Sequence, residues 1–216
     1  IDIEGANNTI GGTVAAARNV ISEQGGDGMR ITGVGATGNA VLGNYIGTDA
    51  TGTLARGNGG SAIFLSAGAS SNRIGNGAAD GANLVSGNDF YGVEMAGATT
   101  VGNSILANRI VSNSGIGIDL NVDGVTANDA GDADSGPNNR QNFPVLTSAN
   151  ANVAGTTIVG SLNSNANTTY RIEFFANRPT VADATNGEGE RYLGYITVTT
   201  DGSGNATLNT TLANVW

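Results

Sequence analysis

The stretch Asn39-Ala40-Val41-Leu42-Gly43-Asn44-Tyr45-Ile46-Gly47 holds one short pattern twice: an asparagine, any residue, then Val or Ile. Both halves recur along the chain. The first half returns as Asn8-Thr9-Ile10, Asn72-Arg73-Ile74 and Asn103-Ser104-Ile105. The second returns as Asn19-Val20-Ile21, Asn83-Leu84-Val85 and Asn108-Arg109-Ile110. Each pair is preceded by alternating apolar residues: Ile1/Ile3, Met29/Ile31, Ile63/Leu65 and Val93/Met95, with Ile116/Ile118 opening a fifth cycle. The order of the three patterns never changes.

Cycles measured from the first pattern run from 23 to 34 residues. The variation falls in tracts such as Gly47-Thr48-Asp49-Ala50-Thr51-Gly52 and Gly75-Asn76-Gly77-Ala78-Ala79-Asp80-Gly81. Gly, Asn and Asp accept positive φ, so these tracts are loops. Three short strands per cycle with no helical period between them predict a three-sided coil, a parallel β-helix of about four turns rising ~19 Å in all. In such a coil each Ile or Val lies over its counterpart, and stacked asparagines form amide ladders. An ordinary β-sandwich would need three different triplets to recur in order by coincidence.

The tracts Asn7-Asn8-Thr9-Ile10-Gly11-Gly12, Ala17-Arg18-Asn19-Val20-Ile21-Ser22 and Gly43-Asn44-Tyr45-Ile46-Gly47-Thr48-Asp49-Ala50-Thr51-Gly52-Thr53 resemble the right-handed parallel β-helix repeats of the pectate-lyase-like superfamily, in the form found in large repetitive bacterial secreted and surface proteins. The resemblance covers roughly residues 1–146. It implies a right-handed coil and an extracellular or cell-surface setting. It does not choose among the superfamily's lyases, glycosidases, adhesins and passenger domains.

Composition narrows the chemistry. The chain has 35 Gly, 28 Asn and 3 Pro among 216 residues, with 39% hydrophobic residues in short runs, which suits a folded β protein better than a disordered chain. Net charge is −9, and all 9 basic residues are arginine. No basic face is visible for nucleic acid, and no apolar run suggests membrane insertion. Without Cys, His or Lys, disulfides, Ser-His-Asp and Cys-His catalysis, Walker A loops and Schiff bases are excluded. The opening Ile1-Asp2-Ile3 already reads as a strand, which suggests a segment of a longer precursor. Gly33-Val34-Gly35-Ala36-Thr37-Gly38 matches a dinucleotide fingerprint, but a strand pattern follows it instead of a helix, so it reads as a turn.

Residues 119–139 form an acidic loop region. Asp119, Asp123, Asn128, Asp129, Asp132 and Asp134 supply hard oxygen ligands on a Gly-rich tract, the donor type that calcium takes. Two readings stand: a calcium site, or a solvated acidic loop at the end of the coil. The C-terminal part changes style. A polar stretch, 147–154, reads as a linker, and the strand patterns 157–162, 170–175, 192–198 and 206–212 are longer and alternate. Asp201-Gly202 and Ser203-Gly204 signal a hairpin between the last two. The predicted architecture is therefore all-β: a parallel β-helix over 1–146, then a small antiparallel Ig-like β-sandwich over 147–216. Four strands leave that sandwich incomplete, with open edges.

Glycosidase chemistry on such a coil needs paired acids on an outer face. The outward positions of the first strand read Asp2, Arg30, Phe64, Glu94 and Gly117, so Glu94 has no carboxylate neighbour there. The expectation is a non-catalytic extracellular structural protein, adhesin-like or filament-forming, whose partner is itself. Ile1 and Ile3 at the open coil end and Trp216 as an anchor are the candidate assembly residues; a frayed tail is the other reading of Trp216. The alternative is a polysaccharide-active β-helix protein, either a lyase or a carbohydrate-binding module. Calcium is the sole cofactor expected, and surface polysaccharide the second partner class.

Overall fold

In the computed structural model, residues 1–178 and 187–213 are described. The chain divides into two compact units. One comprises Ile1–Thr126, Gly136–Asn138 and Asn177–Glu190; the other comprises Ala127–Ser135, Asn139–Ala176 and Arg191–Trp216.

The first unit is a parallel β-helix. Its first sheet stacks β1 (Asp2–Ile3), β4 (Met29–Thr32), β7 (Ile63–Ser66), β10 (Val93–Met95) and β13 (Ile118–Leu120) in that order. Its second stacks β2 (Thr9–Gly11), β5 (Ala40–Leu42), β8 (Arg73–Ile74) and β11 (Ser104–Ile105). Its third stacks β3 (Val20–Ile21), β6 (Tyr45–Ile46), β9 (Leu84–Ser86) and β12 (Arg109–Val111). Every pair is parallel, and the register is that of the repeat: Ile10 on Val41, Val41 on Ile74, Ile74 on Ile105. Ile21, Ile46, Val85 and Ile110 form a second column. These columns meet in one core, in which Met29, Ile31, Val41, Ile46, Ile63, Leu65, Ile74, Val85, Val93 and Met95 have no exposed surface.

The asparagines stand at the corners. The Asn72 Oδ1 accepts both the backbone N–H of Asn39 (2.9 Å) and its Nδ2 (2.9 Å), while the second Nδ2 proton of Asn72 goes to the Ala36 carbonyl (2.9 Å). The same arrangement links Asn8 to Asn39, Asn72 to Asn103, and Asn19 through Asn44 and Asn83 to Asn108. A buried primary amide that uses its acceptor and both donors carries no desolvation penalty. The residue before each asparagine of the first ladder, Asn7, Gly38, Ser71 and Gly102, has positive φ, and this turns the chain into the corner.

A third ladder runs through Asn58, Asn88 and Asn113. The triplet pattern does not reveal it, because no Val or Ile stands two residues beyond these asparagines. The first sheet also corrects the fifth cycle. Ile118 and Leu120, not Ile116 and Ile118, stand in register with Val93 and Met95. Asp119 consequently replaces Gly117 as the neighbour of Glu94.

The second unit is a small antiparallel sandwich. One sheet has the order β14 (Val145–Asn152), β15 (Gly155–Asn163), β18 (Asn205–Leu212); the other pairs β16 (Thr169–Ala176) with β17 (Arg191–Thr199). Ile158, Leu162 and Leu208 from the first sheet pack with Ile172 and Phe174 from the second. The stretch read as a linker is strand β14, paired along its length with β15. Its alternation is Thr, Ser, Ala and Asn, which no hydrophobic criterion registers as a strand. The turn at Asp201–Gly204 does not close a two-strand ladder: β17 and β18 belong to different sheets. Asp201 accepts the N–H groups of Ser203 and Asn205, which hold its carboxyl below the usual range.

Candidate functional site

The outer column of the first sheet reads Asp2, Arg30, Phe64, Glu94, Asp119. Adjacent strands of a sheet lie about 4.8 Å apart, so Glu94 and Asp119 are a carboxylate pair. This overturns the expectation that no sheet presents paired acids. Asp119 is fully buried; its Oδ1 accepts the Val122 N–H (3.1 Å) and its Oδ2 the Gly124 N–H (3.0 Å). Glu94 is half-buried and accepts the Ser61 hydroxyl. Burial pushes the Glu94 carboxyl up, the Ser61 bond works against that, and the charges of Asp27 and Asp119 add to it. The Tyr91 hydroxyl is raised by burial and by the charge of Asp119. Phe90, more than half exposed, stands edge-on to Tyr91 with centroids 6.3 Å apart. Arg30 lies over the Phe64 ring, 5.4 Å from its centroid. One readily protonated acid beside one buried acid, flanked by aromatic rings, is an arrangement able to bind a polyhydroxylated ligand or give it a proton.

The six residues expected to hold calcium fall into two groups. Asp119 belongs to the pair just described, and Asp123, on the same unit, accepts the Asn121 amide at 3.0 Å. Asp129, Asp132 and Asp134 converge in the other unit, with one carboxylate oxygen from each within 4.8 Å of the others. Asn128 turns aside, exchanging both amide atoms with the backbone of Phe143. Asp129 accepts the Ala133 N–H. Asp132, nearly fully buried, accepts the Asn142 N–H (2.9 Å), the Ser164 hydroxyl (2.6 Å) and the Asn165 amide (3.0 Å). Asp134 Oδ2 lies 3.9 Å from the Arg140 guanidinium, while its Oδ1 is buried without a hydrogen-bond partner. A buried carboxylate oxygen with unused lone pairs beside two further carboxylates fits a hard cation.

Of the assembly candidates, Ile1 is half-exposed, whereas Ile3 is buried in the core column on Ile31. Trp216 lies outside the described residues. Edge features appear instead on β14, a border strand of its sheet that is exposed along almost its whole length. Beside it a cleft of about 310 Å³ is lined by Leu146 and Ala149 of β14, Ile158 of β15, and Ile172 and Phe174 of β16.

No protein-family model matches the chain, and no curated protein matches it.

Proposed function

We propose that the chain is a non-catalytic extracellular structural module, an adhesin-like or filament-forming subunit that associates with itself through exposed β edges. One observation carries this reading: β14 offers eight residues of border strand, Val-Leu-Thr-Ser-Ala-Asn-Ala-Asn, with no charge and no proline. Such edges are normally guarded by Lys, Pro or an inward charge, because unpaired N–H and C=O groups template a further strand. The resemblance of the repeat to secreted and surface β-helix proteins supports the extracellular setting. The experiment is light scattering and negative-stain microscopy of the native chain against S148K/N150K, which places two charges on one face of β14. Concentration-dependent assemblies that shrink in the variant are expected. A monodisperse monomer at every concentration rejects the reading.

Calcium belongs to this reading as a staple for the acidic loop, held by Asp129, Asp132 and Asp134. There it would neutralise three carboxylates and take up the orphaned Asp134 oxygen.

A second reading rests on a different observation. The pair Glu94–Asp119 beside Phe90 and Tyr91 favours a polysaccharide-active face, lyase-like or carbohydrate-binding. Release of unsaturated products from pectin or alginate, abolished in E94Q, would place this reading first.

A further inference from the structure

A stack of parallel coils ends on strands whose outer backbone groups face no further coil. In the third sheet that strand is β12, and a segment of opposite polarity covers it. Gly189 pairs with Ile110 in the antiparallel sense, each N–H reaching the other's carbonyl at 2.8 and 3.1 Å. The side chains on either side of Gly189 complete the end. The Glu188 carboxylate receives three N–H groups: the Ser112 backbone (2.5 Å), the Asn113 backbone (2.9 Å) and the Asn113 side chain (3.0 Å). It stands where the next asparagine of the third ladder would stand. The Glu190 carboxylate lies between Arg109 (3.3 Å) and Arg178 (2.5 Å), and the Arg178 hydrogen bond holds it below the usual carboxylate range. Both glutamates are only 7% exposed.

The donors and the acceptors come from different parts of the chain. Arg109, Ser112 and Asn113 belong to the last coil, and their arrangement follows from the repeat. The acceptors arrive 75 to 81 residues later. The site reads a spacing, two carboxylates separated by one residue on an extended segment, and Glu188-Gly189-Glu190 is the one place in the sequence with Glu-x-Glu. Charge-assisted bonds to three converging N–H groups and a guanidinium favour a dicarboxylate segment over a neutral strand.

We infer that the end of the third sheet is a recognition site for an acidic extended segment, filled within one copy by Glu188-Gly189-Glu190 and, between copies, by the same segment of a second copy. Exchange keeps every bond in place, so its equilibrium is governed by protein concentration against the effective concentration of the tethered segment. The inference rests on the self-association reading for its occupant, though not for the site itself.

The chain lacks cysteine, so introduced thiols are unique. Arg109 and Glu190 are directly opposed, one step from the Ile110–Gly189 pair, and opposed antiparallel residues lie within disulfide reach, about 4.5–5.5 Å between Cα atoms. The double variant R109C/E190C, refolded when dilute, should form an intramolecular bridge; its failure overturns the site. R109C and E190C chains, unfolded and refolded together at high concentration, should give mixed disulfide dimers well above either homodimer. A statistical mixture overturns exchange.

A thiol-free readout guards against misfolding of these variants. Full-length E188A/E190A should bind a labelled peptide of sequence Gly-Glu-Gly-Glu-Arg at least about tenfold more tightly than the wild type, whose own segment competes at millimolar effective concentration. It should not bind Gly-Ala-Gly-Ala-Arg. Equal binding of the two peptides, or none, overturns the site. Assemblies seen by light scattering without mixed disulfides leave self-association standing and reject this occupant; absence of both rejects both.

Discussion

Glu94 and Asp119 are register neighbours on adjacent parallel strands, and only one of them reaches solvent. Asp119 is fully enclosed, and its two carboxylate oxygens accept the N–H groups of Val122 and Gly124, while Glu94 is half-buried. Burial and the neighbouring charges raise the Glu94 carboxyl above its ordinary value. The folded state therefore binds more protons than the unfolded state between the ordinary and the raised value. Stability falls as pH rises through that window, and the whole penalty is present above it. Glu94→Gln removes the charge and keeps an acceptor for Ser61. The variant should melt a few degrees higher than the wild type at pH 7 to 8 and equal it near pH 4. A lower melting temperature at neutral pH would show that the charged form is instead held by a partner.

The ladders predict a graded cost along the stack. Asn83 sits mid-ladder: its oxygen accepts from Asn44 and its amide donates to Val41 and Asn108. Asn83→Ala strands several buried polar groups at once and should cost about 3 kcal/mol or more by urea unfolding. Asn8, exposed at the end of its ladder, should cost under about 1 kcal/mol on the same change. Equal costs would mean that the ladders do not act as buried networks.

Two glycines of positive φ predict a contrast between strain and crowding: Gly75, after the triplet Asn72-Arg73-Ile74, and Gly124, in the acidic loop. Gly75 and Gly124 have nearly the same φ, +80° and +86°. A Cβ on Gly75 would fall on the Leu106 carbonyl oxygen of the next coil; on Gly124 it would meet nothing. Gly124→Ala should cost only the left-handed conformation, about 1 kcal/mol. Gly75→Ala must also push two coils apart, and should cost at least twice that in thermal or urea denaturation. A similar loss at both sites would remove the close approach from the argument.

These three cases show where the sequence is legible. Ile10, Val41, Ile74 and Ile105 could be placed in one column because the triplet carries both its corner and its core residue in three positions. The third ladder was hidden because Asn58, Asn88 and Asn113 turn corners without an adjacent inward Ile or Val. Their signal is weaker: a residue of positive φ, Gly87 or Ser112, immediately before the asparagine. The neighbour of Glu94 differs from the sequence expectation by two residues of register, since Ile116-Gly117-Ile118 and Ile118-Asp119-Leu120 alternate equally well. Strand pairing decides between them, and pairing is a long-range property. Glu188 could not be found from spacing, because it joins the ladder from the far end of the chain.

The acidic loop gives the last test. Asp129, Asp132 and Asp134 bring three carboxylates within 4.8 Å, and the hydrogen bonds to Asp132 satisfy one of them from the protein side. The Asp134 Oδ1 is left without such a bond, while Arg140 compensates charge only on the side of Oδ2. A calcium ion would supply what Oδ1 lacks, so millimolar calcium should raise the melting temperature of the wild type and EDTA should reverse the rise. Asp134→Asn keeps the shape and weakens the ligand, and should lose most of that response. If Arg140 and the surrounding amides already suffice, wild type and variant will melt alike with calcium or with chelator, and the loop is then a solvated acidic turn.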